Sequence, residues 1–182
     1  MSSLRVLVVE DYEPFRRFVC STLGKRPELQ LICEVSDGLE AVQKAEELQP
    51  DLIVLDIGLP TLNGIEAARR IRTLAPESKI LFLSQESSAD VVQEAFSLGA
   101  LGYVVKEHAE SELLAAVEAV RQGRQFFIVD RRVTFSPRLR MSTLPTVSTA
   151  MRFSHRSHRR RETKSEISVL FTRLHAWKRF PH

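Results

Sequence analysis

Five residues of this chain have side chains that suit one reaction if the fold brings them together: Glu10, Asp11, Asp56, Ser84 and Lys106. Clustered carboxylates repel one another unless a cation neutralises them, and hard oxygen ligands select Mg2+, which keeps several waters. An aspartate such as Asp56 can attack phosphorus and form an aspartyl-phosphate. The phosphoryl oxygens then need a metal, a lysine and a hydroxyl donor, because positioning and electrostatics dominate such transfers. Taken singly, each residue has a plainer reading. Glu10-Asp11 after an apolar run fits a solvated loop and helix cap, and Asp56 before Gly58 and Pro60 fits a turn. The set carries the argument, and it depends on elements that place all five on one rim.

Those elements are legible. Leu4–Val9, Leu29–Val35, Leu52–Leu55, Ile80–Leu83 and Leu101–Val105 are mostly continuous Leu/Ile/Val, as expected of parallel strands buried on both faces. Between them, apolar residues recur at helical spacing: Leu39, Val42, Ala45 and Leu48; Ile65, Ala68 and Ile71; Val91, Val92, Ala95 and Leu98; Leu113, Leu114, Val117 and Val120. Gly24 and Gly123 stand where helices should stop, and Pro50 and Pro76 follow helix ends. Fivefold strand–helix alternation predicts a doubly wound α/β fold: a five-stranded parallel sheet of flavodoxin-like order 2-1-3-4-5. Functional groups in such sheets gather at the carboxyl ends of strands. Glu10-Asp11, Asp56, Ser84 and Lys106 all fall there.

At these positions the chain resembles a known family. Val8-Val-Glu-Asp11, Asp51-Leu-Ile-Val-Leu-Asp-Ile-Gly-Leu-Pro60, Asn63-Gly64, Leu81-Phe-Leu-Ser84 and Gly102-Tyr-Val-Val-Lys106 resemble, in order and spacing, the receiver domain of two-component response regulators. The likeness covers about residues 4 to 122. It implies that Glu10, Asp11, Asp56 and the Gly58 carbonyl hold Mg2+, and that Asp56 accepts the phosphoryl group. Ser84 would hydrogen-bond that group, Lys106 would pair with it, and Tyr103 would swing inward as Ser84 moves. The implied donor is a phosphohistidine on a sensor histidine kinase or phosphotransfer protein, and the implied result is a switched protein-interaction surface, with homodimerisation on phosphorylation left open. The details most resemble the subfamily whose receivers precede a LuxR-type helix-turn-helix domain.

Three departures stand out. Glu107 follows Lys106 where a proline is common, so no cis peptide is expected. Gln85 follows Ser84 where the family has a small residue, which would narrow access. The roughly 50 residues after residue 130 lack the periodic helices of a helix-turn-helix. The alternative output, DNA-binding transcription regulation with a degenerate or truncated effector, rests on that missing domain, and nucleic-acid binding is not expected without it.

Charge divides the chain. Residues 1 to 130 hold 13 Lys/Arg against 21 Asp/Glu, a balance of −8, whereas residues 131 to 182 hold 13 against 2, a balance of +11. The expected organisation is a receiver domain at 1–124, a basic disordered linker at 125–162 and a short amphipathic helix at 163–180. That helix would open on the capping-box-like Thr163-Lys-Ser-Glu166 and carry Ile167, Leu170, Phe171, Leu174 and Trp177 on one face. The tail also reads as an out-of-frame replacement of an effector. No run approaches the ~18 apolar residues of a membrane span, and Leu4–Val9 leads directly into acidic residues rather than a signal-peptide cleavage region. The expected location is the cytoplasm. Cys20 and Cys33 read as two buried free thiols. A dinucleotide fold would need a glycine-rich turn where Val9-Glu10-Asp11 stands, and a dehalogenase-type phosphatase would want an acid at Gly58. Apart from its own phosphorylation and dephosphorylation, no enzyme activity is expected.

Overall fold

A computed structural model describes residues 3 to 127. The elements run β1 (Leu4–Val9), α1 (Glu13–Gly24), β2 (Leu29–Val35), α2 (Gly38–Leu48), β3 (Leu52–Asp56), α3 (Gly64–Leu74), β4 (Lys79–Ser84), α4 (Ala89–Ser97), β5 (Gly102–Val105), a 3-10 turn at Lys106–His108, α5 (Ala109–Arg121) and β6 (Phe126–Phe127). The strands form one parallel sheet in the order β2-β1-β3-β4-β5-β6.

Every residue of β3 is buried, and alternate residues serve different cores. Ile53 and Leu55 pack with Ala41, Ala45, Ala68, Ile71, Val92 and Ala95 under α2, α3 and α4. Leu52 and Val54 pack with Val19, Leu23, Leu113, Val117 and Val120 under α1 and α5. This two-sided burial is why the strands read as unbroken apolar runs. β3 and β4 reach further than those runs, because Asp56 and Ser84 remain in the ladder as their terminal residues, whereas β5 begins one residue later than expected, at Gly102. Leu39, at a helical apolar position, lies exposed in the first turn of α2.

The predicted sheet order holds, with one strand more than expected. Gly123, at φ 72°, turns the chain after α5. The Phe126 amide then donates to the Leu101 carbonyl (2.8 Å), and Phe126 and Phe127 pair with Gly102 and Tyr103. Two adjacent large side chains in extended backbone point to opposite faces, so Phe126 joins the core under α1 and α5 while Phe127 joins the other. There Phe127 stacks on Phe96 of α4, with ring centroids 3.3 Å apart. The linker expected at 125–162 thus contributes its first residues to the sheet. The rest of that linker and the helix expected at 163–180 lie outside the described residues.

Cys20 and Cys33 are free, as expected, but half-buried rather than buried. Burial and the neighbouring Glu34 carboxylate push the Cys20 thiol up to about 12. Among the described residues no peptide bond is cis and no helix is long and apolar enough to cross a membrane.

Candidate functional site

Strand register assembles the rim. Asp56, last in β3, stands opposite Leu83, and Ser84 and Val105 pair one step further along, so Lys106 leaves the sheet beside Ser84. Glu10 and Asp11 directly follow β1, the other neighbour of β3. One carboxylate oxygen from each of Glu10, Asp11 and Asp56 lies within 4.8 Å of the others. Glu10 is fully buried, Asp56 is buried at 3% exposure, and Asp11 faces solvent.

Lys106 ties the acids together. Its Nζ donates to Glu10 Oε1 (2.8 Å) and lies 2.7 Å from Glu10 Oε2 and 2.9 Å from Asp56 Oδ2. The Tyr12 amide also donates to Glu10 Oε1 (3.2 Å), but Oε2 is buried without a hydrogen bond. Burial, and secondly the charge of Asp56, raise the Glu10 carboxyl to about 7, against the pull of Lys106 and the Tyr12 amide. A buried acid with a raised pKa makes folding take up a proton, so its stabilising contribution is present below pH ~4.5 and is lost as pH rises through ~7. In chelator-treated protein, the unfolding free energy of wild type should therefore fall against that of Glu10→Gln between pH ~5 and ~7.5, by on the order of 3 kcal/mol. A parallel pH dependence in urea titrations of the two proteins would contradict it.

Gly58 lies beside the cluster: a Cβ built there would stand 3.6 Å from Asp56 Oδ2. Ser84 and Tyr103 are also close but are engaged elsewhere. Ser84 Oγ accepts from the Glu86 amide (3.0 Å), and the Tyr103 hydroxyl donates to the Glu86 carbonyl (2.8 Å), so the two residues hold the backbone on either side of the Glu86 Cα, ahead of α4. Tyr103 is fully buried, hence already inward, and burial raises its phenol above the usual range. Gln85 faces solvent.

Two supporting residues escaped the sequence reading. Arg16, on α1, donates through Nη1 to the Glu10 carbonyl (2.6 Å) and the Asp11 carbonyl (3.4 Å), pinning the loop that carries the acidic pair. Phe15, also on α1, presents its ring to Lys106, with Nζ 5.0 Å from the centroid. Their spacing from Glu10-Asp11 was visible, but a charged and an apolar residue on a helix are ordinarily surface and core.

The site's chemistry fits a divalent cation. Three carboxylates share one ammonium, and Glu10 Oε2, although 2.7 Å from that ammonium, is a buried oxygen that accepts no hydrogen bond. A metal held by Glu10, Asp11 and Asp56 would satisfy both.

A family profile described as the response regulator receiver domain matches residues 6–118. The chain is 34% identical over 122 residues to the transcriptional regulatory protein DegU of Brevibacillus brevis, covering 67% of this chain and 52% of that one. It is 38% identical over 152 residues to a protein-glutamate methylesterase/protein-glutamine glutaminase of Thermotoga maritima, covering 80% of this chain and 44% of the relative. The chain thus spans about half the length of these curated relatives. Among solved structures, a LuxR-family two-component response regulator from Aurantimonas sp. SI85-9A1 superposes with a TM-score of 0.65 at 34% identity, covering 69% of this chain and 89% of that one.

Proposed function

The chain belongs to the response regulator receiver domain family of two-component systems, and from that membership we propose that it receives a phosphoryl group on Asp56 in a Mg2+-dependent phosphorelay. The observation that carries the reading is the Lys106 ammonium bridging Glu10 and the Asp56 carboxylate at the carboxyl rim of the sheet, with Asp11 alongside.

The donor would be a phosphohistidine on a sensor histidine kinase or phosphotransfer protein. Asp56 Oδ1, which has no partner among the described residues, attacks phosphorus. An O–P bond forms, the P–N bond breaks, and its electron pair returns to the imidazole, which is reprotonated from solvent. Mg2+ at Glu10, Asp11, Asp56 and the Gly58 carbonyl would offset the charge of the phosphoryl oxygens. Lys106 moves its attraction from the carboxylates to the incoming oxygens, and the Ser84 hydroxyl donates to one of them. Because Ser84 and Tyr103 hold the amide and the carbonyl of the same residue, Glu86, a shift of Ser84 would be passed to the backbone that leads into α4. The α4 region then becomes the switched surface, open to a protein partner or a second phosphorylated copy. Neither the transcriptional regulation nor the methylesterase activity named for relatives is carried over, since the chain matches only about half of each.

Incubation with a small phosphodonor and Mg2+ should add one phosphoryl group, which peptide mass spectrometry places on Asp56; chelation should prevent it. Uptake at another residue, or undiminished by chelator, overturns the proposal. Magnesium at about 100 times its Kd should stabilise the domain by about 2.7 kcal/mol, a rise in Tm on the order of 10 °C. Asp11→Ala should erase that rise, and an unchanged rise would remove Asp11 from the metal site.

A further inference from the structure

We propose that Phe15 is a positioning residue for the phosphoryl-accepting reaction: the face of its ring holds the Lys106 ammonium at the rim while the negative charge around it is redistributed. The inference rests on the reading that Asp56 accepts the phosphoryl group.

Lys106 has an unusual task. It is a point charge on a flexible four-carbon stem, and in this structure its ammonium satisfies Glu10 and Asp56 together. Phosphoryl transfer and metal binding both change what those carboxylates offer. A metal draws on the same oxygens, and bond formation at Asp56 removes its negative charge. An ammonium held only by carboxylates loses its anchor at the step where it is needed.

Phe15 provides an anchor that does not change. The ring lies 5.0 Å from Nζ at its centroid, within the range of a cation–π contact. It carries no proton and no ligand atom, so it competes neither for the metal nor for the phosphoryl group. Its own position is fixed from two sides. Pro14 occupies the first turn of α1, where its restricted φ starts the helix, and Phe18 packs on the Phe15 ring at 5.6 Å between centroids. Lys106 is only 12% exposed, so the contact is partly shielded from water, where such contacts are strongest. An aliphatic residue could fill the same half-buried place under α1, but it would offer the ammonium no electrostatic attraction.

The test separates the electrostatics of the ring from its bulk. Phenylalanines carrying one, two and three ring fluorines are placed at position 15 of the full chain by nonsense suppression. Successive fluorines weaken the attraction for a cation and hardly change ring shape. Circular dichroism establishes that each protein is folded, and the rate constant for Asp56 phosphorylation by a small phosphodonor is then measured at saturating Mg2+. The expected result is a stepwise fall in rate with fluorine count, about fivefold over the series, and recovery in Phe15→Trp. A rate independent of fluorine count in chains that do accept phosphate on Asp56 overturns the role of Phe15 and leaves the phosphorelay reading intact. Failure of the unmodified chain to phosphorylate on Asp56 overturns both.

Discussion

Asp56→Asn is expected to reduce phosphoryl uptake from a small phosphodonor to background and to leave the domain folded with an equal or higher Tm. The two outcomes have one cause. Asn preserves the planar shape at the end of β3 and can still accept a hydrogen bond from Lys106, so packing is retained. It removes the nucleophilic carboxylate oxygen and with it the chemistry. It also removes one of the two negative charges enclosed with Glu10, and the charge of Asp56 is a named cause of the raised Glu10 pKa. Relief of that repulsion offsets the lost ion pair with Lys106, which keeps Glu10 as its partner. Parallel measurements of phosphate incorporation and thermal melting decide the matter. Incorporation equal to wild type would remove Asp56 from its assigned role, and a collapse of Tm would show that the carboxylate is needed for folding.

A large loss of stability is expected at Gly64. A Cβ added there would lie 2.0 Å from the Asp56 carbonyl oxygen, 2.8 Å from Ile57 Cα and 2.9 Å from the Asp56 carbonyl carbon. All three are backbone atoms, so no side chain can rotate aside. The close approach is enforced by the Gly64 amide, which donates to the Ile57 carbonyl (2.9 Å), and by Asn63, whose side chain caps α3 through the Glu66 amide (2.9 Å). Gly64→Ala must therefore push the start of α3 away from the end of β3, displacing the segment that carries Asp56. The expected cost is about 3 kcal/mol, at the upper end for overpacking, with phosphoryl uptake lost even at temperatures where the protein stays folded. Gly24→Ala is the control, since nothing lies within 4 Å of its added Cβ. It ends α1 and should be neutral or stabilising by about 0.5 to 1 kcal/mol. Chemical denaturation of both variants checks the pair, and equal effects would show that α3 can yield.

What could be read from the sequence follows from what each feature needs. Buried parallel strands announce themselves, because residues on both faces must be apolar; hence β1 falls at the expected bounds, and the edge strand β2 does so through its alternating apolar residues Leu29, Leu31, Cys33 and Val35. Strand ends were harder to read. Asp56 and Ser84 break the apolar pattern although their backbones remain in the ladder, so a functional side chain at a strand end shortens the apparent strand. A two-residue strand has no periodicity, which hid β6. Glu10, Asp11, Asp56 and Lys106 were recognisable by type and spacing, and the structure places them together. The depth of Glu10, the Arg16 clamp on its loop and the grip on Glu86 come from tertiary packing between elements distant in sequence. The inward placement of Tyr103 belongs to the same class: its partner is a main-chain carbonyl 17 residues away, which no side-chain pattern encodes.

The short strand β6 has a consequence for solubility. The outer edge of a sheet is a row of amides and carbonyls open to pairing with any other extended chain, and an apolar edge is the most hazardous kind. Without β6 that edge would be β5, the sequence Gly-Tyr-Val-Val, with no charged residue to discourage a partner. Phe126 and Phe127 occupy its first two positions, and the Phe126 amide takes up the Leu101 carbonyl just before them. The pair is held by burial on both faces rather than by ladder length, through the stack on Phe96 and the core beneath α5. Among the described residues, two aromatic side chains thereby cover the first half of β5, at Gly102 and Tyr103, against pairing with another extended chain.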